Sequence, residues 1–497
     1  MMRREELKLF IVAVLAELLF GLLMIARWGS TFCCGDAAYH HYIPMVVLET
    51  RNIRCLGVVW PPLLHLLVMP LLPIELFYTT GLAGTLVSAL ATGVMCVFLY
   101  RLLGRGKTGL VAPVVMMCNA ITLAYGATPM MEQLSMMFIV MATYYVKEYV
   151  EKGRVKDFVK ASASFSFGCL ARYEVWAITA LAILLLAILE VRMRRYRRLL
   201  LLPLLATGML VWLIWNYFLT RDFLFFIHAP MGAGFYAGVY LSQAWLLQRI
   251  GFMLFMIYLV SGLLIATTLA FFSSALRKRL YKDVVISCLL LLPLVFHVIL
   301  VLCRLSFGWA RHFYMALPGM IFCSHKFCQA RLIRRGLRAG HEHKEILKSL
   351  ISLMLVAYPA QAYIMATGWL PDFEPRTIAQ YRLELIRVAE IVGDNTILVG
   401  TDAAGWLSAM TGLPPSQIVD GNDPCFREAM EEPWRYVYFV LIEKLKGDPL
   451  LEALNKHYNG KFYIYRYYYD DGWRSEFLAH FQPILETEHY ILFALKG

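Results

Sequence analysis

The sequence predicts a polytopic α-helical membrane protein that ends in a soluble α/β domain. Three observations carry this. The 497 residues are 60% hydrophobic and only 16% charged, with a mean hydropathy of +0.60, too little charge to cover a soluble surface of this size. Apolar runs that reach or approach the ~20 residues needed to cross a bilayer recur as far as residue 368. The charge then changes sign. Residues 370–497 carry 12 Lys+Arg against 19 Asp+Glu, or −7, and the first 369 carry 35 against 16, or +19.

About eleven spans are expected, at 8–28, 78–100, 108–127, 129–147, 158–171, 174–191, 199–219, 250–273, 283–303, 312–330 and 346–368. The first run is long enough to remain a span and lacks a small-residue cleavage site. Basic clusters such as Arg3/Arg4/Lys8, Arg101/Arg105/Lys107, Arg192–Arg198 and Arg331–Arg338 recur between spans. All fall on the side of the N-terminus if 60–76 does not cross, and cytoplasmic loops hold such clusters. Pro61, Pro62, Pro70 and Pro73 break that stretch repeatedly, so it is expected to be juxtamembrane or re-entrant. The N-terminus is then cytoplasmic and the C-terminus extracytoplasmic. Residues 1–370 form a transmembrane module whose first outer loop is 29–77, and residues 371–497 form the outer domain. Within that domain Thr396–Gly400, Tyr436–Ile442, Phe462–Tyr465 and Tyr490–Leu495 read as strands, and 376–392, 424–432 and 448–457 as helices.

The basic excess lies in short clusters between apolar runs without aromatic interleaving, so nucleic acid is not expected as a partner. The eleven cysteines include no C-x-x-C pair and no metal-ligand spacing. A disulfide from Cys33 or Cys34 to Cys55 stays open.

Ionisable groups at the outer edge of a bilayer are costly and therefore candidate functional groups. Seven acids fall there: Glu17, Asp36, Glu49, Glu75, Glu132, Glu174 and Asp222. Arginines accompany them, among them Arg51, Arg54, Arg172, Arg249, Arg304 and Arg311. A carboxylate among arginines suits transfer from a lipid phosphate. Cations stabilise the leaving phosphate, and the carboxylate takes a proton from an acceptor hydroxyl. A transporter would also use such a site.

Particular motifs narrow the choice. Gly35-Asp36-x-x-Tyr39-His40 is followed by Trp60-Pro61-Pro62-Leu63. Then come Thr128-Pro-Met-Met-Glu132, Leu170-Ala-Arg172-Tyr173-Glu174 and Trp309-Ala-Arg311-His312, which leads into Leu317-Pro318. In this order they resemble GT-C superfamily glycosyltransferases, of the protein O-mannosyltransferase and lipid A aminoarabinose transferase group. Two departures stand out. Ala37 follows Asp36 where the family often has a second acid, and Trp60 precedes Pro-Pro-Leu where the aminoarabinose branch often has lysine.

The resemblance implies a GT-C-like fold and a sugar donor on a polyprenyl or dolichyl phosphate. The acceptor hydroxyl, on a protein, lipid or glycan, would be glycosylated with inversion. It implies that Asp36 is the general base and that Arg172 and Arg311 hold the phosphate. Tyr39, His40, Trp60, Glu132 and Glu174 would line the substrate site. No certain cofactor follows from these motifs. A divalent metal on His40 and His41 is disfavoured, because adjacent histidines point to different faces of a helix. Two plainer readings accompany this one. Asp36 also fits the N-cap of a loop helix, and the chain also fits a lipid-linked-sugar transporter or a catalytically inactive partner subunit.

Overall fold

The computed structural model describes residues 3–56, 59–228, 245–278, 280–306, 308–334, 342–367, 373–421, 423, 425–444 and 470–497. The expected strand Phe462–Tyr465 and helix 448–457 lie outside the described residues.

Every expected span coincides with one or two helices. Five are single helices long and apolar enough to cross a membrane: α1 (Arg4–Trp28), α5 (Leu82–Leu102), α10 (Glu174–Arg192), the continuous stretch Tyr196–Thr220 whose second half is α11 (Thr207–Thr220), and α14 (Tyr281–Leu302). Two more are bent pairs, α6 (Lys107–Met117) with α7 (Ala120–Gly126) at 69°, and α12 (Leu246–Ser261) with α13 (Leu264–Arg277) at 91°. The second bend corrects an expected straight span at 250–273. Gly262 there has φ +55°, and a Cβ on it would collide with the Leu353 carbonyl. The Leu263 N–H donates to that same carbonyl at 2.9 Å. The remaining expected spans are α8 (Met131–Lys152), α9 (Val155–Cys169), α15 with α16 (Ala310–Tyr314 and Leu317–Arg334), and α17 with α18 (Glu342–Leu355 and Tyr358–Thr367). These are shorter or more polar. α8 alone carries Glu132, Gln133, Lys147 and Glu148.

Small residues let the helices approach closely, as in other lipid-embedded bundles. Gly93 of α5 faces Phe10 and Val14 of α1, and Gly21 of α1 faces Thr85 of α5. The stretch after α1 holds no single helix long enough to meet the length of a membrane span. It holds α2 (Gly35–Thr50), then the short helices α3 (Leu63–Val68) and α4 (Glu75–Thr79) with a 3-10 turn at Met69–Leu71 between them. Proline at each interruption removes a helical hydrogen bond, which keeps these pieces short.

The C-terminal region contains α19 (Pro375–Val392), α20 (Thr401–Thr411), α21 (Phe426–Glu431) and α22 (Asp471–His480). Its five strands are β1 (Ile397–Val399), β2 (Ile418–Val419), β3 (Phe439–Glu443), β4 (Phe481–Glu486) and β5 (Tyr490–Leu495), in sheet order β2-β1-β3-β5-β4. β1 pairs parallel with β2 and β3, and β5 pairs antiparallel with β3 and β4. The expected strand at 436–442 starts three residues late, because Pro433–Arg435 closes a 3-10 turn. Two strands, β2 and β4, and two helices, α20 and α22, were not anticipated. The Asp470 side chain caps α22 by accepting from the Trp473 N–H at 3.0 Å.

This region packs directly on α2. The Glu374 N–H donates to the Cys33 carbonyl at 2.9 Å. The Ser416 N–H donates to Glu49 Oε2 at 2.8 Å, and Tyr78 bonds Ser408 at 2.6 Å. Arg382 donates to the Gly29 carbonyl. Gly405 on α20 lies flat against the Tyr39 ring, where a Cβ would meet it at 2.9 Å. No disulfide joins Cys33 or Cys34 to Cys55 among the described residues; Cys33 and Cys34 instead lie with their sulfurs 3.6 Å apart.

Candidate active site

Asp36 is not the N-cap of α2. Cys34 holds that position, and Asp36 falls in the first turn, where a negative charge meets the positive end of the helix. Its carboxylate instead reaches across the bundle to Arg311 on α15, with Oδ2 2.9 Å from Nη1. Asp36 is partly open to solvent, its side chain 37% exposed, and Arg311 is nearly closed, at 9%.

Behind this pair lies a continuous chain of charges. Arg311 Nε is 4.0 Å from Glu132 Oε1 on α8. The same oxygen accepts from Arg172 Nη1 at 2.5 Å. Arg172, in the turn before α10, also grips Glu174 through Nε and Nη2 at 2.7–3.2 Å. The two-nitrogen edge of a guanidinium matches a carboxylate or a phosphate equally well. Glu132 and Glu174 are buried, and buried charges persist only when paired in this way.

The network continues into residues that the sequence reading did not select. His297, in the C-terminal part of α14, places Nε2 3.1 Å from Glu174 Oε1. His312 stacks on it with ring centroids 4.6 Å apart, and the two planes differ by 9°. The Arg311 guanidinium lies over Trp309, 5.0 Å from the ring centroid. The signal for His297 was an imidazole within the apolar run 286–302, which a search confined to acids and arginines passes over.

Tyr39, His40 and Trp60 form an adjoining aromatic group. Tyr39 stacks on Trp60 at 6.0 Å, and His40 meets the same ring edge-on at 5.7 Å. His40 Nδ1 bonds His65 Nε2 of α3 at 3.0 Å, and the Gly84 N–H donates to His41 Nε2 at 3.3 Å. Trp60 is carried on a strut fixed by the Tyr173 hydroxyl, which donates to the Val59 carbonyl at 2.6 Å. On the other side of α2, the Trp406 ring of α20 covers Gly35, one residue from Asp36.

Burial holds the imidazoles of this group in the neutral form. Desolvation brings His65 down to about 4. Desolvation again, followed by the like charges of His65 and nearby groups, puts His40 well below its ordinary range. Because the folded values are depressed, the stability contributed by neutral His65 is complete above about 6.5 and is lost as pH falls towards 4. The loss is on the order of 3 kcal/mol for His65. The expected result is a melting temperature that drops steeply between pH 6.5 and 4.5, with His65→Gln flattening that drop. Thermal melts followed by tryptophan fluorescence measure both.

Of the seven acids singled out in the sequence, the structure gathers Asp36, Glu132 and Glu174. Glu49 serves the contact with Ser416, and Glu17 lies on α1 against Gly126. Among the described residues, side chains able to offer ligand atoms to one metal ion converge only at Glu384, Glu488 and His489 in the C-terminal region. There Glu384 already accepts from His489 at 2.7 Å and from Thr487 at 2.5 Å.

Residues 61–217 match the family model described as dolichyl-phosphate-mannose-protein mannosyltransferase. That segment contains Glu132, Arg172 and Glu174 and stops short of Asp36 and Arg311. No curated protein matches the sequence. Among solved structures the chain is similar to that of ArnT from Cupriavidus metallidurans bound to undecaprenyl phosphate. The two share 12% identity at a TM-score of 0.53, over 98% of this chain and 97% of that one. The fold is therefore GT-C-like, a helical bundle similar to that of ArnT with a small C-terminal sheet. The family match over 61–217 runs from α3 into α11 and includes part of the motif series described above.

Proposed function

We propose that the chain is an integral-membrane glycosyltransferase that moves a sugar from a polyprenyl-phosphate donor to an acceptor hydroxyl on the extracytoplasmic face. The observation that carries this is the Asp36–Arg311 pair at 2.9 Å, backed by Arg172 between Glu132 and Glu174. One carboxylate is open to solvent, and the two guanidiniums behind it match a phosphate.

In this mechanism Arg311 and Arg172 hold the donor phosphate at the edge of the bilayer. Asp36 takes the proton of the acceptor hydroxyl as its oxygen attacks the anomeric carbon from the face opposite the phosphate. The bond from that carbon to the phosphate oxygen breaks with inversion, and the electron pair leaves on polyprenyl phosphate. Negative charge grows on the phosphate as the bond breaks, so fixed guanidiniums favour the transition state over the ground state. Arg311 holds Asp36 before the donor arrives, so the carboxylate is engaged until that contact opens. Donor phosphate competes for Arg311 and frees Asp36, which gives an ordered reaction with the donor first. The sugar proposed is mannose or another hexose.

The region 371–497 acts here as an outer domain that presents the acceptor. Trp406 supports this role by placing an indole ring beside Gly35, next to the base. Trp406→Ala is expected to lower the ratio of sugar transfer to donor hydrolysis about tenfold, the equivalent of ~1.4 kcal/mol for one aromatic platform, with Trp406→Phe intermediate.

The deciding experiment incubates purified protein in lipid with a panel of radiolabelled polyprenyl-phosphate sugars, with wild type and Asp36→Asn side by side. Hydrolysis to free sugar counts as turnover. Asp36-dependent consumption of one donor supports the reading. Folded protein that consumes none favours a transporter or an inactive partner subunit.

A further inference from the structure

Two thiols stand at the start of α2, beside the candidate site. Cys33 and Cys34 are consecutive, neither is in a disulfide, and their sulfurs lie 3.6 Å apart. Cys33 is buried and Cys34 is partly open. Cys34 is the N-cap of α2, two residues before Asp36. Its Sγ lies 3.9 Å from Arg311 Nη1, the nitrogen that pairs with Asp36. The same sulfur lies 3.8 Å from the sulfur of Met130, the N-cap of α8. Three of the elements that build the site, α2, α8 and α15, therefore meet at Cys34.

The peptide that joins the two cysteines has a second task. Its carbonyl, that of Cys33, accepts from the Glu374 N–H at 2.9 Å, and Glu374 is the N-cap of α19 in the C-terminal region. The next carbonyl, that of Cys34, accepts from the Ala37 N–H at 3.2 Å and opens α2. One peptide plane thus sits between the C-terminal region and the helix that carries Asp36.

That plane is incompatible with a bond between the two sulfurs. Consecutive Cα atoms are ~3.8 Å apart across a trans peptide, inside the ~4.4–6.8 Å that an ordinary disulfide spans. To close the bond the plane must turn. Turning it takes the Cys33 carbonyl off the Glu374 N–H and takes Cys34 out of the N-cap position. Disulfides held under strain are the easily reduced ones, suited to regulation rather than to stapling a fold.

We propose that Cys33 and Cys34 are a site of reversible oxidation, at which exchange with an external disulfide joins the neighbouring sulfurs and withdraws Asp36 from Arg311. The Cys34 thiolate, the more open of the two, attacks one sulfur of the external disulfide, and a thiolate leaves. The Cys33 thiolate then attacks Cys34 Sγ in the mixed disulfide, and the second thiolate leaves. Two protein thiols are oxidised, one external disulfide is reduced to two thiols, and the two cysteine protons pass to the leaving thiolates. A dithiol reductant reverses both steps. On an extracytoplasmic face, disulfides are available as the oxidant. The control of Asp36 rests on the proposed function and adds a regulation to it; the bond between the sulfurs does not depend on that function.

The test treats the full chain in nanodiscs with 4,4′-dithiodipyridine, with and without later dithiothreitol. Peptide mass spectrometry is expected to find the peptide that holds both cysteines lighter by two hydrogens and closed to alkylation. Hydrogen exchange at the Glu374 amide is expected to quicken, and dithiothreitol to restore both. Donor consumption by the oxidised protein is expected to fall by about 10²-fold, the cost of misplacing a reacting group by roughly 1 Å, and to recover with dithiothreitol. Cys33→Ala and Cys34→Ser are each expected to keep the untreated rate and to show neither the bond nor the exchange response. Mixed disulfides in place of the bond overturn the proposal, as does a bond that leaves Glu374 exchange unchanged. A fall in donor consumption that persists in both variants, or a bond that leaves consumption undiminished, overturns the control of Asp36. Untreated wild type that consumes no donor overturns the proposed function, and the bond and the Glu374 exchange then still decide whether the oxidation site exists.

Discussion

Asp36→Asn is expected to reduce sugar transfer by about 10²–10⁴-fold while the protein still folds and inserts. The amide has nearly the shape of the carboxylate, and its oxygen can still accept from Arg311, now 2.9 Å from Asp36. What it cannot do is take a proton from the acceptor. Donor affinity should hold or improve, because Arg311 is then released from an anion before the phosphate arrives. The signature is therefore a collapse of kcat without a rise in KM for the donor, read from initial rates over a donor series. Transfer at the wild-type rate by the folded variant would remove Asp36 as the base.

Arg311→Ala is expected to show a different pattern, with kcat/KM for the donor falling by about 10²–10³-fold. The guanidinium lies between Asp36 and Glu132, so its loss leaves both the phosphate and the two acids without their shared cation. KM for the donor should rise and kcat fall together. Arg311→Lys should recover only part of the loss, because an ammonium is a point charge and cannot offer two parallel donors. Full recovery with lysine would show that charge alone is needed and that the planar grip is not. A thermal melt of each variant separates this from unfolding caused by unpaired buried acids.

The helical bundle was legible because apolar length and basic clusters are local signals. Each expected span has its helix, and the proline-broken stretch at 60–76 forms only short helical pieces. The candidate site was legible for a related reason. Asp36, Glu132, Arg172, Glu174 and Arg311 each stand at the end of a helix or beside one, so assigning helix ends to one face predicted that they would be neighbours. Pairing was not legible. Nothing local to Asp36 says that it meets Arg311 rather than capping its own helix. His297 was missed because an imidazole in an apolar run gives no sign of its partner on another helix. The bend at Gly262 depends on the Leu353 carbonyl, 91 residues later in the chain. β2 is two residues long, and β4 is mostly exposed and contains Pro483. Such strands exist through their neighbours rather than through their own composition.

The docking of the C-terminal region on α2 has a consequence for biosynthesis. The helix that carries Asp36 leaves the ribosome early, but Gly405 and Trp406, which pack on it, follow about 370 residues later. At ~5–20 residues per second, α2 waits on the order of 20–70 s for its cover. A nascent chain therefore carries Asp36 before the surface that packs beside it exists. Under the proposed function, the order of synthesis leaves the site without this cover until translation has passed α20.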